Sequence, residues 1–286
     1  MISTYIRRLR LGSELRAMRT AAGLTHEEIA HRIGVSRAQV SRLENGHLVD
    51  QRHVMLILDA LGIGGERWTQ VINIAREAGE QGWWESVRGL GEKQALRANL
   101  EAGAGSIREY QQALVPDLLQ MADFARARLN ADTGLVPADS TADATLAGQA
   151  GRQRMLSRPG APRYEAVVEE VVIRRLSAPP TTTAKQLRHL VAACDGQASI
   201  GLRVLPTDAR IDGFAIPCCS FRLYSYPDPG DLAIAVIDTV PSDLVVTEPA
   251  QVERYDQLYV RLSDAALSPE QSRDLIIEAA GALGGD

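Results

Sequence analysis

Leu24-Thr-His-Glu-Glu-Ile-Ala-His-Arg-Ile-Gly-Val-Ser-Arg-Ala-Gln-Val-Ser-Arg-Leu-Glu-Asn-Gly46 is the stretch that decides how the first part of this 286-residue chain folds. Thr25 is a good helix N-cap, and Glu28 three residues on completes a capping box. Ile29, Ala30 and Ile33 then form an apolar face at helical spacing. Gly34 stands where a tight turn needs positive φ. Val35 plugs the turn, and Ser36 caps a further helix that runs to Asn45 with Val40 and Leu43 inward, until Gly46 stops it. Upstream, residues 7–22 read as a helix through Leu11, Leu15, Met18 and Ala22, ended by Gly23. Downstream, 52–63 and 66–78 supply two more, with Val54, Ile57, Leu58 and Leu61 facing inward in the first and Trp68, Val71, Ile72 and Ala75 in the second. The expectation is an all-α, five-helix head over residues 1–78, followed by a linker over 79–94.

Two short helices joined by a glycine-containing turn form a helix-turn-helix motif. The string from Leu24 to Gly46 resembles the Xre, or phage-repressor, family of DNA-binding proteins, matching small, apolar and capping residues at more than ten positions together. That resemblance implies that Ser36–Asn45 is the recognition helix, lying in the major groove of double-stranded DNA. Arg37, Ala38, Gln39, Ser41 and Arg42 then point outward. Arginine takes guanine bidentately and glutamine takes adenine, while Ser36 and the nearby backbone N–H groups suit a phosphate. Thr25 and His26 complete the DNA-binding set. Family members often carry Gln at the position of His26, braced on phosphate; a histidine there makes that contact sensitive to pH. Glu44 is expected to pair with an arginine of the first helix, and Asn45 to terminate the recognition helix. A head this small reads one half-site, so a homodimer on an inverted repeat is expected, with half-sites about 10 bp apart or a multiple.

Charge divides the chain in the same place. The net charge is −5 overall, but residues 1–78 hold 11 Arg, no Lys and 8 Asp plus Glu, a net of +3, and the remainder carries −8. A basic head on an acidic body reads as a DNA-binding domain joined to something that stays off DNA. The chain has no apolar run near 18 residues and no secretory h-region, so it is expected to be cytoplasmic and not to enter a membrane. The three cysteines, Cys194, Cys218 and Cys219, are too few and too close for a disulfide framework. Lys93 and Lys185 are the only lysines, an arginine bias that points to a GC-rich bacterial genome.

The body over residues 95–286 reads as α+β, a mixed helix and antiparallel-sheet domain. Helices are expected over 93–114, Met121–Asn130, Asp143–Leu156, Thr183–Ala193, Pro249–Leu262 and from Ser268 onward. Strands are expected over Tyr164–Val168, Ser199–Leu205, Cys218–Tyr226, Leu232–Asp238 and Asp243–Thr247, with a surface loop over Thr133–Ala142. Glu169–Arg175 reads either as strand or as a helical turn, the latter favoured by Glu170 and Arg174 at i,i+4. Trp83-Trp84 is expected to pack the linker onto the next domain.

This half is similar to a C-terminal domain of unknown function, described as antitoxin-like, that many actinobacterial Xre-type regulators carry. The matching segments over about residues 95–282 include Val115-Pro-Asp-Leu-Leu-Gln120, Phe124-Ala-Arg126, Arg152-Gln-Arg-Met-Leu156, Gln186-Leu-Arg-His-Leu190 and Ala265-Ala-Leu-Ser-Pro-Glu-Gln-Ser-Arg-Asp-Leu-Ile276. Asp117 stands where Gly is usual, and Met121 where Thr is common. The resemblance implies a regulator whose body dimerises and senses a small-molecule effector or a protein; the alternative is an antitoxin-like module that binds a small partner protein and autoregulates its operon.

Nothing in the residues points to catalysis, a cofactor or a metal. Four of the five histidines lie in the head, and no HExxH, CxxC, GxSxG or Walker sequence occurs. Glu169 and Glu170 read as a salt-bridge pair for Arg174 or Arg175 rather than as an acid and base, and Cys218-Cys219 as strand residues pointing to opposite faces. An enzyme retaining the head as a relic is the third reading. For the body's input site, the stretches Ser199–Thr247 and Val115–Asn130 are expected to make a concave surface, with Trp83, Trp84 and Phe124 as aromatic walls.

Overall fold

The computed structural model describes residues 2–47, 50–131, 140–239 and 242–283. The chain forms two units, one of residues 1–86 with Pro227–Leu232 and one of residues 87–226 with 233–286.

The first unit holds α1 (Thr4–Ala21), α2 (His26–Ile33), α3 (Arg37–Glu44), α4 (Gln51–Ala60) and α5 (Gly65–Ala78). Four of the five starts carry a side-chain cap. Ser3, Thr25, Ser36 and Asp50 cap α1 to α4 by accepting backbone N–H groups. Gly34 closes α2 at φ 71°, a left-handed conformation that costs a side chain but not glycine. The core is Leu11, Leu15, Ile29, Val40, Leu43, Val54, Ile57, Leu58, Val71 and Ala75, drawn from all five helices. Gly12 lets α1 approach the end of α3: a Cβ there would lie 2.5 Å from the carbonyl oxygen of Glu44. Within this unit Pro227–Leu232 brings two acids to α1. Asp228 accepts from Arg10 at 2.6 Å and Arg7 at 3.0 Å, and Asp231 from Arg7 at 3.0 Å. The backbone N–H of Gly230 and the Arg10 side chain hold the Asp228 carboxyl down at about 2. Trp84, in the turn Trp83–Ser86, is buried.

The second unit is α+β. Its elements are α6 (Glu92–Glu101), β1 (Ser106–Gln111), α7 (Ala122–Ala131), α8 (Ala142–Gln153), β2 (Arg163–Glu169), α9 (Glu170–Arg174), α10 (Pro180–Gly196) and β3 (Ile200–Leu205), then β4 (Phe221–Ser225), β5 (Ile234–Ile237), β6 (Leu244–Val246), α11 (Pro249–Ala265) and α12 (Pro269–Ala282). The sheet order is β3-β2-β1-β4-β5-β6. It is mixed rather than antiparallel throughout: β1, β2 and β3 run parallel, and β4 to β6 are antiparallel. The parallel half follows from β1, which lies inside the segment expected to be helical over 93–114. The helix ends at Glu101, and the chain turns through Gly103 at φ 78° into a strand. Helices then carry the chain from β1 to β2 and from β2 to β3, as parallel pairing demands.

The two sheet faces differ in kind. Tyr110, Val167, Phe221, Leu223, Ala235 and Ile237 pack beneath Val252, Tyr259 and Leu262 of α11. The opposite face carries Glu109, Tyr164, Arg222 and Tyr224, all buried. Cys218 and Cys219 precede β4 instead of lying in it, so they do not alternate across a sheet; Cys218 is exposed and Cys219 half-buried. The Glu169–Arg175 segment resolves into α9, with Glu170 accepting from Arg174 at 2.6 Å. Thr133–Asp139 of the expected loop lie outside the described residues. Phe124 and Trp84 are buried and make no exposed aromatic wall.

Candidate nucleic-acid interface

The α2–turn–α3 pair presents its outer face through caps that also constrain the candidate side chains. Thr25 accepts from the Glu28 N–H at 3.2 Å, and Glu28 accepts from the Thr25 N–H at 2.7 Å. Ser36 accepts from the Gln39 N–H at 3.2 Å, and the Gln39 side-chain oxygen accepts the Ser36 N–H at 2.9 Å. Both sets are capping boxes, so the entry to α3 is held from two sides. This bears on recognition: reading adenine bidentately needs the Gln39 amide oxygen as an acceptor, and that oxygen is occupied by Ser36. In this arrangement only the Gln39 amide N–H groups are available to DNA.

Arg37, Ala38 and Arg42 are exposed on the outer face of α3, and Ser41 lies beside them, half-buried. Among the described residues neither Arg37 nor Arg42 has a protein partner, which leaves both guanidinium groups available to an external acceptor. A cleft of about 410 Å³ borders the helix, lined by Gln39, Arg42, Leu43, His47, Asp50 and His53. His47 and His53 were outside the candidate set. Their proximity arises because the turn after α3 and the start of α4 fold back beside Arg42, a juxtaposition that helical periodicity does not report. His53 is oriented by Asp50 at 3.2 Å.

His26 is placed differently from a phosphate brace alone. Its Nε2 lies 2.9 Å from Glu44, the same carboxylate that accepts from Arg19 Nε at 2.6 Å and Nη2 at 2.9 Å. Arg16 adds a bond to the Glu44 carbonyl at 3.0 Å and to the Asn45 side chain at 2.7 Å. Burial disfavours the Glu44 charge, but the hydrogen bonds from Arg19 and then His26 outweigh it and keep the carboxyl below its ordinary range. Glu44 thus ties α1, α2 and the C-terminal end of α3 together, and the pairing with an arginine of the first helix is with Arg19.

The second unit contains a buried ionic network on the polar face of its sheet. Asp117, in the turn Asp117–Leu119, accepts from Arg97 at 2.9 Å and from Arg152 at 2.9 and 3.2 Å. Arg152 also donates Nε to Glu101 at 2.8 Å. Arg222 donates to Glu109 at 2.8 Å and to Asp238 at 2.7 Å, and Arg97 donates to Asp243 at 2.6 Å. Burial would push Asp117 up, but Arg152, Arg222 and Arg97 hold it well below the usual carboxylate range. Burial outweighs Arg152 at Glu101, whose carboxyl is raised. Three glutamines lock the same turn: Gln149 to the Asp117 carbonyl at 2.6 Å, Gln153 to that of Gln120 at 2.6 Å and Gln186 to that of Leu119 at 2.8 Å. Segments scattered along the sequence, Val115–Gln120, Arg152–Leu156 and Gln186–Leu190, therefore meet at one place. These acids are spent on arginines, and among the described residues no group of His, Cys, Asp and Glu is arranged to hold a metal ion. No helix among them is long and apolar enough to cross a membrane.

Residues 10–68 match the family model described as helix-turn-helix domain. Neither a curated protein nor a solved structure matches the chain. Residues 94–278 match a second family model, described as domain of unknown function (DUF5753), and the chain belongs to that family, with a helix-turn-helix domain of the DNA-binding, regulatory kind ahead of it.

Proposed function

We propose that the protein is a sequence-specific transcription regulator of the Xre type that binds DNA as a homodimer, and that its acidic second unit dimerises and receives the input, a small effector or a partner protein. The observation that carries the DNA reading is the pair Arg37 and Arg42, exposed and unpartnered on a helix whose entry is capped and whose exit is fixed by Glu44. A capped, rigid helix loses little backbone freedom when its two free guanidinium groups meet guanine or phosphate. The acidic composition of the second unit supports a role away from the duplex, since like charge repels it from phosphate. An input there acts only through unequal affinity for DNA-competent and DNA-incompetent forms. The reading assigns the molecule a binding role and no catalytic one.

The test is a footprint and affinity titration on the DNA flanking the gene, at fixed salt, with the intact protein and the variants R37A and R42A. Loss of a base contact should weaken binding by about 1–3 kcal/mol and relax preference at one base pair. Unchanged affinity and unchanged preference in both variants would remove the assignment of α3 to the major groove.

A further inference from the structure

Cys218 and Cys219 stand in a bend between Pro217 and β4, and the chain is held on both sides of it. The Pro217 carbonyl accepts from Gln112 Nε2 at 2.7 Å. The Ser220 Oγ accepts the Gln112 N–H at 3.1 Å, and the Ser220 carbonyl accepts the Asp238 N–H at 3.0 Å. In a strand, adjacent side chains point to opposite faces. The bend removes that alternation, and both cysteines line one groove of about 470 Å³. Both are free thiols, Cys218 exposed and Cys219 half-buried.

The same groove is walled by Phe221 and Tyr255, whose rings stand 5.1 Å apart and tilted. Burial, then Cys219 and Cys218, push the Tyr255 hydroxyl up, so both sulfurs lie near that ring. Among the described residues no third His, Cys, Asp or Glu joins the pair to hold a metal ion. Zinc, which takes four ligands or three and a water, is therefore not served. A direct disulfide is disfavoured as well. Neighbouring Cα atoms lie about 3.8 Å apart, short of the roughly 4.4–6.8 Å that a relaxed disulfide spans. Burial, then Cys218 and Asp238, also push the Cys219 thiol up, whereas oxidation proceeds through the thiolate.

We propose that the adjacent thiols of Cys218 and Cys219 chelate a monosubstituted trivalent arsenical, whose organic group packs against Phe221 and Tyr255. Such an arsenic is three-coordinate and brings its own third ligand, a carbon, so two sulfurs complete it. One atom set between the sulfurs closes the ring without joining them, which relieves the short spacing of neighbouring residues. The step is a condensation. Two As–O bonds of R–As(OH)2 break and two As–S bonds form; the two thiol protons leave with the two hydroxides as water. Nothing is oxidised or reduced. A turn pinned at Pro217 and Ser220 spends little freedom in presenting both sulfurs, and an aryl substituent meets rings it can pack against. The site is independent of the DNA reading and stands or falls without it.

Phenylarsine oxide, which hydrates to the dihydroxide, is the probe, titrated into the full reduced chain and followed by intact mass and by counting thiols open to alkylation. The wild type should take up a single phenylarsenic group with loss of both hydroxides, lose two alkylatable thiols, and release the group to a dithiol but not to glutathione. C218S and C219S should each weaken capture by about 100-fold, the loss of a chelate, and C194S should not change it. Circular dichroism checks that the variants remain folded. Y255L should weaken capture of phenylarsine oxide by about 2- to 10-fold, one aromatic contact, and leave capture of inorganic arsenite, which has no ring, unchanged. Capture that survives C218S or C219S, or an adduct that keeps one hydroxide and blocks one thiol, overturns the chelate. Equal losses for both probes in Y255L, or none, overturn the aromatic contact. Capture as tight by the chain unfolded in urea overturns the part played by the pinned turn.

Discussion

Replacing Glu44 by Gln is the sharpest test of how the first unit holds its recognition helix. The carboxylate is 2% exposed and accepts two hydrogen bonds from Arg19, at 2.6 and 2.9 Å, and one from His26 at 2.9 Å. Gln keeps the shape but removes the charge, and offers one acceptor oxygen to three donors. Breaking a buried ion pair by neutralising one partner costs about 3–5 kcal/mol. Here Arg19 and His26 retain some contact with water, which brings the expected loss to about 2–3 kcal/mol. The loss is local to the junction of α1, α2 and α3, so hydrogen exchange reads it best. At 1.4 kcal/mol per factor of ten, protection of the Val40 and Leu43 amides should fall by roughly 30- to 100-fold. The pH dependence supplies a second check. The folded pKa of Glu44 lies below its ordinary 4.5, so its contribution is fully present above that value and is lost as pH falls through the lowered one. The gap between wild type and E44Q should therefore be constant near neutrality and close on acidification below the ordinary 4.5. A change in protection under about threefold, or a gap that is flat from neutral to acid, would refute the claim that Glu44 is the tie.

Three further outcomes follow from the same geometry. G12A places a methyl 2.5 Å from the Glu44 carbonyl, backbone that cannot yield without moving a helix, and should cost about 1–3 kcal/mol in urea unfolding. R152A strands Glu101 in the interior of the second unit and leaves Asp117 to Arg97 and Arg222, and should cost about 3–5 kcal/mol; R152K should recover little, because an ammonium cannot serve Glu101, Asp117 and Gln94 with the fork that Arg152 presents. The Asp228 carboxyl, held at about 2, contributes stability that is present above its ordinary value of 3.8 and disappears as pH falls toward 2. D228N should abolish that acid-dependent component, and added salt should shrink it in the wild type, both visible in the unfolding midpoint of the helical unit.

The helical unit was legible because its determinants are local. Caps, the Gly34 turn and the 3.6-residue spacing of Ile29, Ile33, Val40 and Leu43 act over a few residues, so five helices and the outward face of α3 can be read from the string alone. What the string could not convey is which outward groups are already occupied. His26 and the oxygen of Gln39 are taken by Glu44 and Ser36, and His47 and His53 arrive beside Arg42 only when α4 folds back. In the second unit the helices and most strands were legible, but β1 was not, and the parallel half of the sheet went with it. Its inward residues Glu109 and Gln111 are polar because they face a buried ionic network, so the alternation that marks a strand was missing. That network joins Arg97, Asp117, Arg152, Arg222 and Asp238 across more than a hundred residues. Residue spacing determines which side chains share a face of one element; only the tertiary fold decides which elements meet, because a buried charge is tolerated solely where an opposite one is brought to it through space.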